Sequence, residues 1–452
     1  MQKKLSIKDY TYLASMLFGL FFGAGNLIFP VYMGQLAGRN IWPAILGFLV
    51  TGVGLPLLGI VAMGLSKTTG LYDLASRIHP AYAVFLTCAL YLTIGPFFAI
   101  PRTATVSFEV GLAPFVSGGQ KPLFLALFSL AFFGAVLWFS LRPSNILTWV
   151  GKILNPLFLA FLAILIVTAL LHPAGAISSI SPSKAYETSS FFTGFLEGYN
   201  TMDALASLAF GIIIIQVIKG LGVEHPSTIA TDTMKSGFFS MSLMAVIYIC
   251  LAILGAQSRG AFETAENGGQ ALSSIASYYF GGLGSIILAC IMILACLKTA
   301  VGLITSISET FFSLFPNSLS YKAYAVLFTL ISFGFANFGL SKIISYSIPV
   351  LMFLYPLAIT LILLALFHKL FKGATAVYIW VTILTLIAAF FDFVKALPEG
   401  LTQTLNLQGV ITFASTTLPL YDLGLGWIFP ALTGGVIGGI IAFIERRRLH
   451  EN

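Results

Sequence analysis

Long apolar runs separated by short polar breaks dominate this chain, and their lengths predict its architecture before any single residue does. About 20 apolar residues wound as a helix are needed to cross about 30 Å of hydrocarbon. The pattern predicts twelve spanning helices, over 10–36, 41–65, 81–115, 123–141, 145–171, 191–219, 229–256, 271–315, 323–338, 341–368, 374–395 and 420–444. An all-α integral membrane protein follows, with residues 1–452 forming a single transmembrane domain.

Composition agrees with that reading. The chain is 58% hydrophobic and 9% charged, where soluble domains carry roughly 25% charge. Basic residues mark the cytoplasmic side of short loops. With both termini inside, the inner set is Lys3, Lys4, Lys8, Lys67, Arg77, Arg142, Lys152, Lys219, Lys235, Lys322, Lys369, Lys372, Arg446, Arg447 and Arg448. The outer set is only Arg39, Lys121, Lys184, Arg259, Lys342 and Lys395. The net charge of +7 is therefore a topology signal and not a nucleic-acid footprint. The start MQKKLSIKDY lacks the short apolar core and cleavage site of a secretory signal, so it reads as the lead-in to an uncleaved first helix. Cys88, Cys250, Cys290 and Cys296 all fall inside spans, where they act as small apolar residues with no disulfide or metal framework implied.

The first span carries FGAGNLIFP at 22–30, a glycine-rich kernel in an apolar setting. Gly23-Ala24-Gly25 begins like a dinucleotide loop, but Ile28 stands where the third glycine belongs and no strand precedes it. Unwound backbone at membrane depth survives only where it is buried or lines a cavity. Gly23 and Gly25 loosen the helix, Asn26 adds a side chain able to cap, and Pro30 suits the first turn of a resumed helix. The first half then ends in free carbonyls suited to a cation, and the second begins with free amides suited to a carboxylate. The competing reading is packing, because Gly19 and Gly23 also form GxxxG.

A second interruption favours the cavity. Within the sixth span, FLEGYNTMDALASLAFG at 195–211 sets Gly198, Tyr199, Asn200, Thr201 and Asp203 inside an apolar stretch. The two interruptions lie five spans apart, which gives two five-helix units of opposite orientation, as in transporters built from inverted repeats with broken helices at corresponding places. The expected units are a first repeat over 8–171, a second over 188–370, and two further helices over 374–444.

The residues now resemble a known family, the bacterial branched-chain amino acid:cation symporters (BrnQ-type carriers, the LIVCS family). The resemblance spans nearly the whole chain: FGAGNLIFP, GFLVTGVGLP at 47–56, IGPFFAIPRTATVSFEVG at 94–111, GYNTMDALASLAFG at 198–211, ACLKTAVGL at 295–303 and SIPVLMFLYP at 347–356. It implies a LeuT-like five-plus-five inverted repeat with helices 1 and 6 broken, in the bacterial cytoplasmic membrane. It also implies uptake of leucine, isoleucine and valine driven by a cation gradient, usually sodium. By that resemblance, Gly23, Ala24, Gly25 and Asn26, with Tyr199, Asn200, Thr201 and Asp203, hold the substrate's ammonium and carboxylate. A coupling cation is implied near Gly19 and Phe22 on the first helix and Ala295 and Thr299 on the eighth.

Two buried charges complicate the picture. Lys298 stands in LACLKTAVGL where the family resemblance implies an uncharged residue. It can replace sodium as a tethered cation, couple transport to protons, or snorkel or pair with Asp203 or Glu309. Sodium and proton both remain open as the coupling ion. Arg102 can grip a substrate carboxylate with its planar fork, or share a hydrated network with Glu109 two turns along. A place in the outer half of the third helix, away from the kernel, argues for the structural or gating role.

Beyond these, GGVIGG at 434–439 reads as close packing of the last helix, in the chain or against a second protomer; no oligomeric state is fixed. The histidines fall in loops or at helix ends, so neither a resident metal nor a cofactor is expected beyond a sodium ion. A membrane-embedded enzyme would need a constellation such as HExxH, which is missing, and no GxxxxGK[ST] supports a self-contained pump. A channel would need a filter loop or a ring of charges, and neither is evident. Within carriers, a sodium-independent or proton-coupled carrier or exchanger is the alternative.

Overall fold

The computed structural model describes residues 5–66, 68, 70–141, 155–223 and 225–451. Lys3, Lys4, Lys67, Arg142 and Lys152, and the predicted span residues 145–154, lie outside the described residues. Among the described residues the chain is helical throughout, with no strand. Among the described residues, eight helical stretches are long and apolar enough to cross a membrane, and two more, Phe158–Leu171 and Tyr321–Ala336, are apolar but shorter.

The run predicted as a first helix is two. Helix α1 (Ile7–Phe21) starts on a capping box, in which Ser6 and Asp9 satisfy each other's backbone amides. It ends at Phe22, whose φ and ψ are extended, and Gly23 is extended as well. Helix α2 (Ala24–Ala37) then resumes, earlier than the sequence suggests, so Pro30 sits two turns in and not at the first turn. Lacking an amide hydrogen, Pro30 cannot donate to the Asn26 carbonyl, which its ring frees from the helical ladder close to the interruption.

Helices α3 (Ile41–Leu49) and α4 (Leu55–Ser66) join through a wide π turn at Val50–Gly54. A second π turn, Thr93–Phe97, joins α5 (Pro80–Leu92) to α6 (Ala99–Gly111), with Gly95 out of the helical region at φ −97° and ψ −125°. The predicted third span is thus kinked, and it ends at 111 and not 115. Next come α7 (Lys121–Ser140) and α8 (Asn155–Leu171).

The sixth predicted span is also divided. Helix α9 (Ser190–Glu197) passes into a tight turn at Gly198–Thr201, Met202 takes a left-handed conformation at φ 62°, and α10 (Asp203–Gly220) follows. After it run α11 (Pro226–Ser258), α12 (Gly268–Leu314), α13 (Tyr321–Ala336), α14 (Leu340–Leu366), α15 (Thr375–Ala396) and α16 (Ile428–Glu451). Helix α12 leaves helical geometry at Gly281, where φ is 60°. The twelfth span was expected from 420, but 420–427 forms turns with Leu420 and Gly424 left-handed, which stops any helix before Ile428.

Small residues bring the elements together. A Cβ built on Gly34 of α2 would sit 2.0 Å from the Ala252 carbonyl oxygen of α11, and one on Gly255 the same distance from the Val31 oxygen. Gly47 of α3 and Gly194 of α9 make the same reciprocal contact through the Phe191 and Ala44 carbonyls. These contacts fix α2 against α11 and α9 against α3. In GGVIGG, Gly434 and Gly438 of α16 pack on the backbone of α15 in the same chain.

Candidate functional site

The two interruptions face each other. A Cβ on Gly25 would lie 3.7 Å from Thr201 Cα, so the α2 N-terminus rests against the turn before α10. Between them is a narrow cavity of about 50 Å³, lined by Gly23, Ala24, Gly25, Asn26, Thr201, Met202 and Asp203, with Arg102 and Thr103 of α6 and Thr299 and Leu303 of α12.

Asn26 is the junction. Its Oδ1 accepts from the Gly23 amide at 2.8 Å, capping α2, while its Nδ2 donates to Asp203 Oδ2 at 2.5 Å and to the Tyr248 hydroxyl. Tyr248, on α11, donates in turn to Asp203 Oδ2 at 3.0 Å. Asn26 and Asp203 are 2% and 3% exposed. A carboxylate removed from water needs such donors, and two other helices, α2 and α11, supply them here. Tyr248 was not among the expected residues. Its one signal in the sequence is a hydroxyl inside the predicted seventh span, which a buried tyrosine has to satisfy.

Arg102 stands elsewhere than its sequence position suggested. Its Nη1 donates to the Asn200 carbonyl at 2.6 Å, Nη2 approaches Met202 Sδ at 3.1 Å, and the guanidinium lies 5.0 Å from the centre of the Phe29 ring. The side chain is 3% exposed, and its Nε has no hydrogen-bond partner. The kink at Gly95 re-aims α6, which an unbroken third helix would not have allowed. Arg102 thereby satisfies a carbonyl that the tight turn frees, besides lining the cavity. Glu109, two turns along the same helix, lies beside Gly269 at the start of α12.

Other hydroxyls complete the second interruption. Thr51, in the Val50–Gly54 turn, donates to the Phe195 carbonyl at 2.7 Å, and Thr201 donates to the Gly198 carbonyl at 2.9 Å. The side chains of Tyr199 and Asn200 turn away from the cavity. Tyr199 stacks on Tyr355 with ring centres 3.9 Å apart, and Asn200 Nδ2 donates to Glu197 at 3.0 Å.

At the end of α1, Gly19 is buried and Phe22 stacks on Phe18 at 4.7 Å. Thr299 meets this end: a Cβ on Gly23 would lie 3.4 Å from its Oγ1, which donates to the Ala295 carbonyl at 3.2 Å. Lys298 is half-buried beside Thr299 but is not among the residues lining the cavity. Glu309 is exposed, eleven residues on and about 16 Å along the axis, beyond reach of a direct pair with Lys298.

Helical elements long enough to span a membrane, around a buried cavity carrying both a carboxylate and a guanidinium, define a multi-pass helical membrane protein with an internal polar site. The family model described as branched-chain amino acid transport protein matches residues 6–445, and the chain belongs to that family. It is 51% identical to the branched-chain amino acid permease BrnQ of Lactobacillus delbrueckii subsp. lactis, over 99% of this chain and 100% of that one. It is 44% identical to BrnQ of Bacillus subtilis (strain 168), again over 99% and 100%. These relatives are named as permeases, and this is a transporter and not an enzyme. Among solved structures, the inward-facing conformation of Mhp1 aligns with a TM-score of 0.62 at 12% identity, covering 96% of this chain and 90% of that one. A closed form of Mhp1, a nucleobase-cation-symport-1 family transporter with bromovinylhydantoin bound, aligns at 0.59. At that identity the likeness is one of fold.

The Asn26–Tyr248–Asp203 junction makes a stability prediction. Tyr248→Phe removes the bridging hydroxyl and is expected to cost about 1–3 kcal/mol, read from thermal unfolding in detergent. Adding Asn26→Ala to it is expected to cost less than the sum of the two changes. Strict additivity would show that the groups do not act together.

Proposed function

We propose that this chain imports leucine, isoleucine and valine across the bacterial cytoplasmic membrane, with both termini inside, driven by a cation gradient. The observation that carries the reading is the charge arrangement in one cavity: Asp203 and Arg102, both almost fully buried, beside the first amides of α2. A zwitterion is the natural complement of such a site. Its carboxylate goes to the free amides of Ala24 and Gly25 and the unpartnered Arg102 Nε–H. Its ammonium goes to Asp203 and the carbonyls at the close of α1 and near Asn26. The apolar side chain then lies among Leu20, Phe21, Ile94 and Phe210, which line the same cavity. The names of the relatives supply the amino acid class.

In this reading the chain crosses the membrane twelve times. Residues 8–171 and 188–370 are inverted repeats, 374–444 supplies two more helices, and the two interruptions are mid-membrane breaks. Transport proceeds by alternating access, with the broken helices and their neighbours rocking against the third, fourth, eighth and ninth helices. Coupling needs only that cation and amino acid each favour the state the other stabilises. One charge moving down 100 mV supplies about 2.3 kcal/mol, or roughly fiftyfold accumulation.

Sodium, as a co-transported ion, suits hard oxygen donors, and the carbonyls near Gly19 and Phe22 with Thr299 Oγ1 and the Ala295 carbonyl are of that kind. Lys298, next to Thr299, sets an ammonium near the same place, and it either stands in for sodium or trades a proton.

Two outcomes are expected in proteoliposomes. Asn26→Ala abolishes uptake of labelled leucine while leaving the protein inserted and folded; undiminished uptake would refute the site. Lys298→Thr creates or strengthens sodium dependence if the ammonium replaces the ion. Equal uptake by both proteins in sodium-free buffer would remove that role.

A further inference from the structure

Away from the cavity, a second set of buried polar groups lies at the seam between α15, the turns at 421–427 and the tight turn at Gly198–Thr201. Asp392 of α15 is 0% exposed, and neither of its carboxyl oxygens has a hydrogen-bond partner. A Cβ on Gly426 would lie 3.5 Å from Asp392 Oδ1. The next residue, Trp427, is buried with its indole N–H beside the hydroxyl of Tyr199, which stacks on Tyr355. The charge of Asp392 acts on Tyr199, Tyr421 and Lys395, which places all three near it. Lys395, three residues along the same helix, is turned to the Tyr421 carbonyl at 2.9 Å and to Asp422 at 3.7 Å.

Buried polar groups have partners almost without exception, so a fully buried carboxyl with both oxygens unpartnered calls for an occupant. A metal ion fits poorly. The seam offers a single carboxylate, a Trp N–H that can only donate, and a nearby ammonium that repels a cation. A proton fits, because it removes the uncompensated charge and turns an acceptor-only group into one that also donates to a neighbouring hydroxyl.

We propose that Asp392 is a proton-binding site of this transporter, lying outside the substrate cavity and joined to it through Tyr199. Release breaks the Asp392 O–H bond and gives the proton to water, and the Lys395 ammonium swings from Tyr421 and Asp422 to serve as counter-ion. The titratable or charged groups near the carboxyl are Lys395 on its own helix, Tyr421 on the turn and Tyr199 in the tight turn; behind them, Asp422 pairs with Lys395 and Tyr355 stacks on Tyr199. Tyr199 precedes Thr201 of the cavity by two residues, so a shift of the seam reaches the substrate. With the orientation the basic residues suggest, this end faces outward, where the proton gradient loads it.

The proposal rests on the transport reading above, and the test separates the two. In leucine-loaded proteoliposomes, Asp392→Asn is expected to keep leucine counterflow, while stimulation of uptake by an inward proton gradient falls roughly tenfold. Asp392→Glu, which keeps an acid, is expected to retain that stimulation. Infrared spectra are expected to show a protonated-carboxyl C=O band that Asp392→Asn removes. Unchanged proton stimulation, or an unchanged carboxyl band, overturns the site. Loss of sodium response alone assigns the carboxyl to a metal ion and overturns it too. Absence of counterflow in the unaltered protein defeats the transport reading, whereas the infrared band still judges Asp392.

Discussion

Backbone that leaves the helical ladder in a water-poor interior has to find partners, and this constraint organises the whole molecule. Phe22, Gly23 and the turn at 198–202 break the ladder, and side chains from the same and neighbouring elements answer the groups around these breaks. Asn26 takes the Gly23 amide, Thr51 the Phe195 carbonyl, and Arg102 the Asn200 carbonyl. Each partner arrives from a helix that is itself irregular or glycine-packed. The wide turn at Val50–Gly54 presents Thr51, the kink at Gly95 presents Arg102, and the close α2–α11 contact brings Tyr248 to Asn26.

The electrostatics follow from the same arrangement. A buried carboxylate and a buried guanidinium share one small cavity without a direct ion pair between them, because each spends its hydrogen bonds elsewhere. Asp203 is held by Asn26 and Tyr248, and Arg102 by the Asn200 carbonyl. Opposite charges kept apart on fixed supports are a preorganised receptor for a dipolar solute, since neither has to be pulled from the other on binding. Family membership and the fold shared with Mhp1 are what such a site would lead one to expect.

Much of this was legible in the chain. Composition and run length were enough for an all-helical membrane protein, and FGAGNLIFP marked the place where α1 gives way to α2 once the second interruption at 195–211 weighed against the packing reading of Gly19 and Gly23. What the sequence withheld is rotation and aim. Tyr248 sits in an ordinary apolar stretch, and nothing local says that its hydroxyl meets Asn26. Arg102 was set too far from the kernel because the third span was read as one long helix with Arg102 in its outer half. Tyr199 was taken for a cavity residue, whereas the left-handed Met202 turns the chain so that Thr201 and Asp203 face inward and Tyr199 faces α14. Pro30 was placed by its usual helical preference, which yields here to an earlier restart at Ala24. Asp392 drew no notice, since a lone carboxyl near the end of a span looks like an interfacial charge until its burial is known.

The central claim is that the interrupted helices hold both charges of a zwitterion at once. Binding of leucine to the purified protein, compared by calorimetry with 4-methylpentanoic acid, which lacks the ammonium, and 3-methylbutylamine, which lacks the carboxylate, tests it most directly. Each analogue is expected to bind at least about a hundredfold more weakly than leucine, because it strands a buried charged group without its partner. Binding of either analogue as tight as that of leucine would contradict the account.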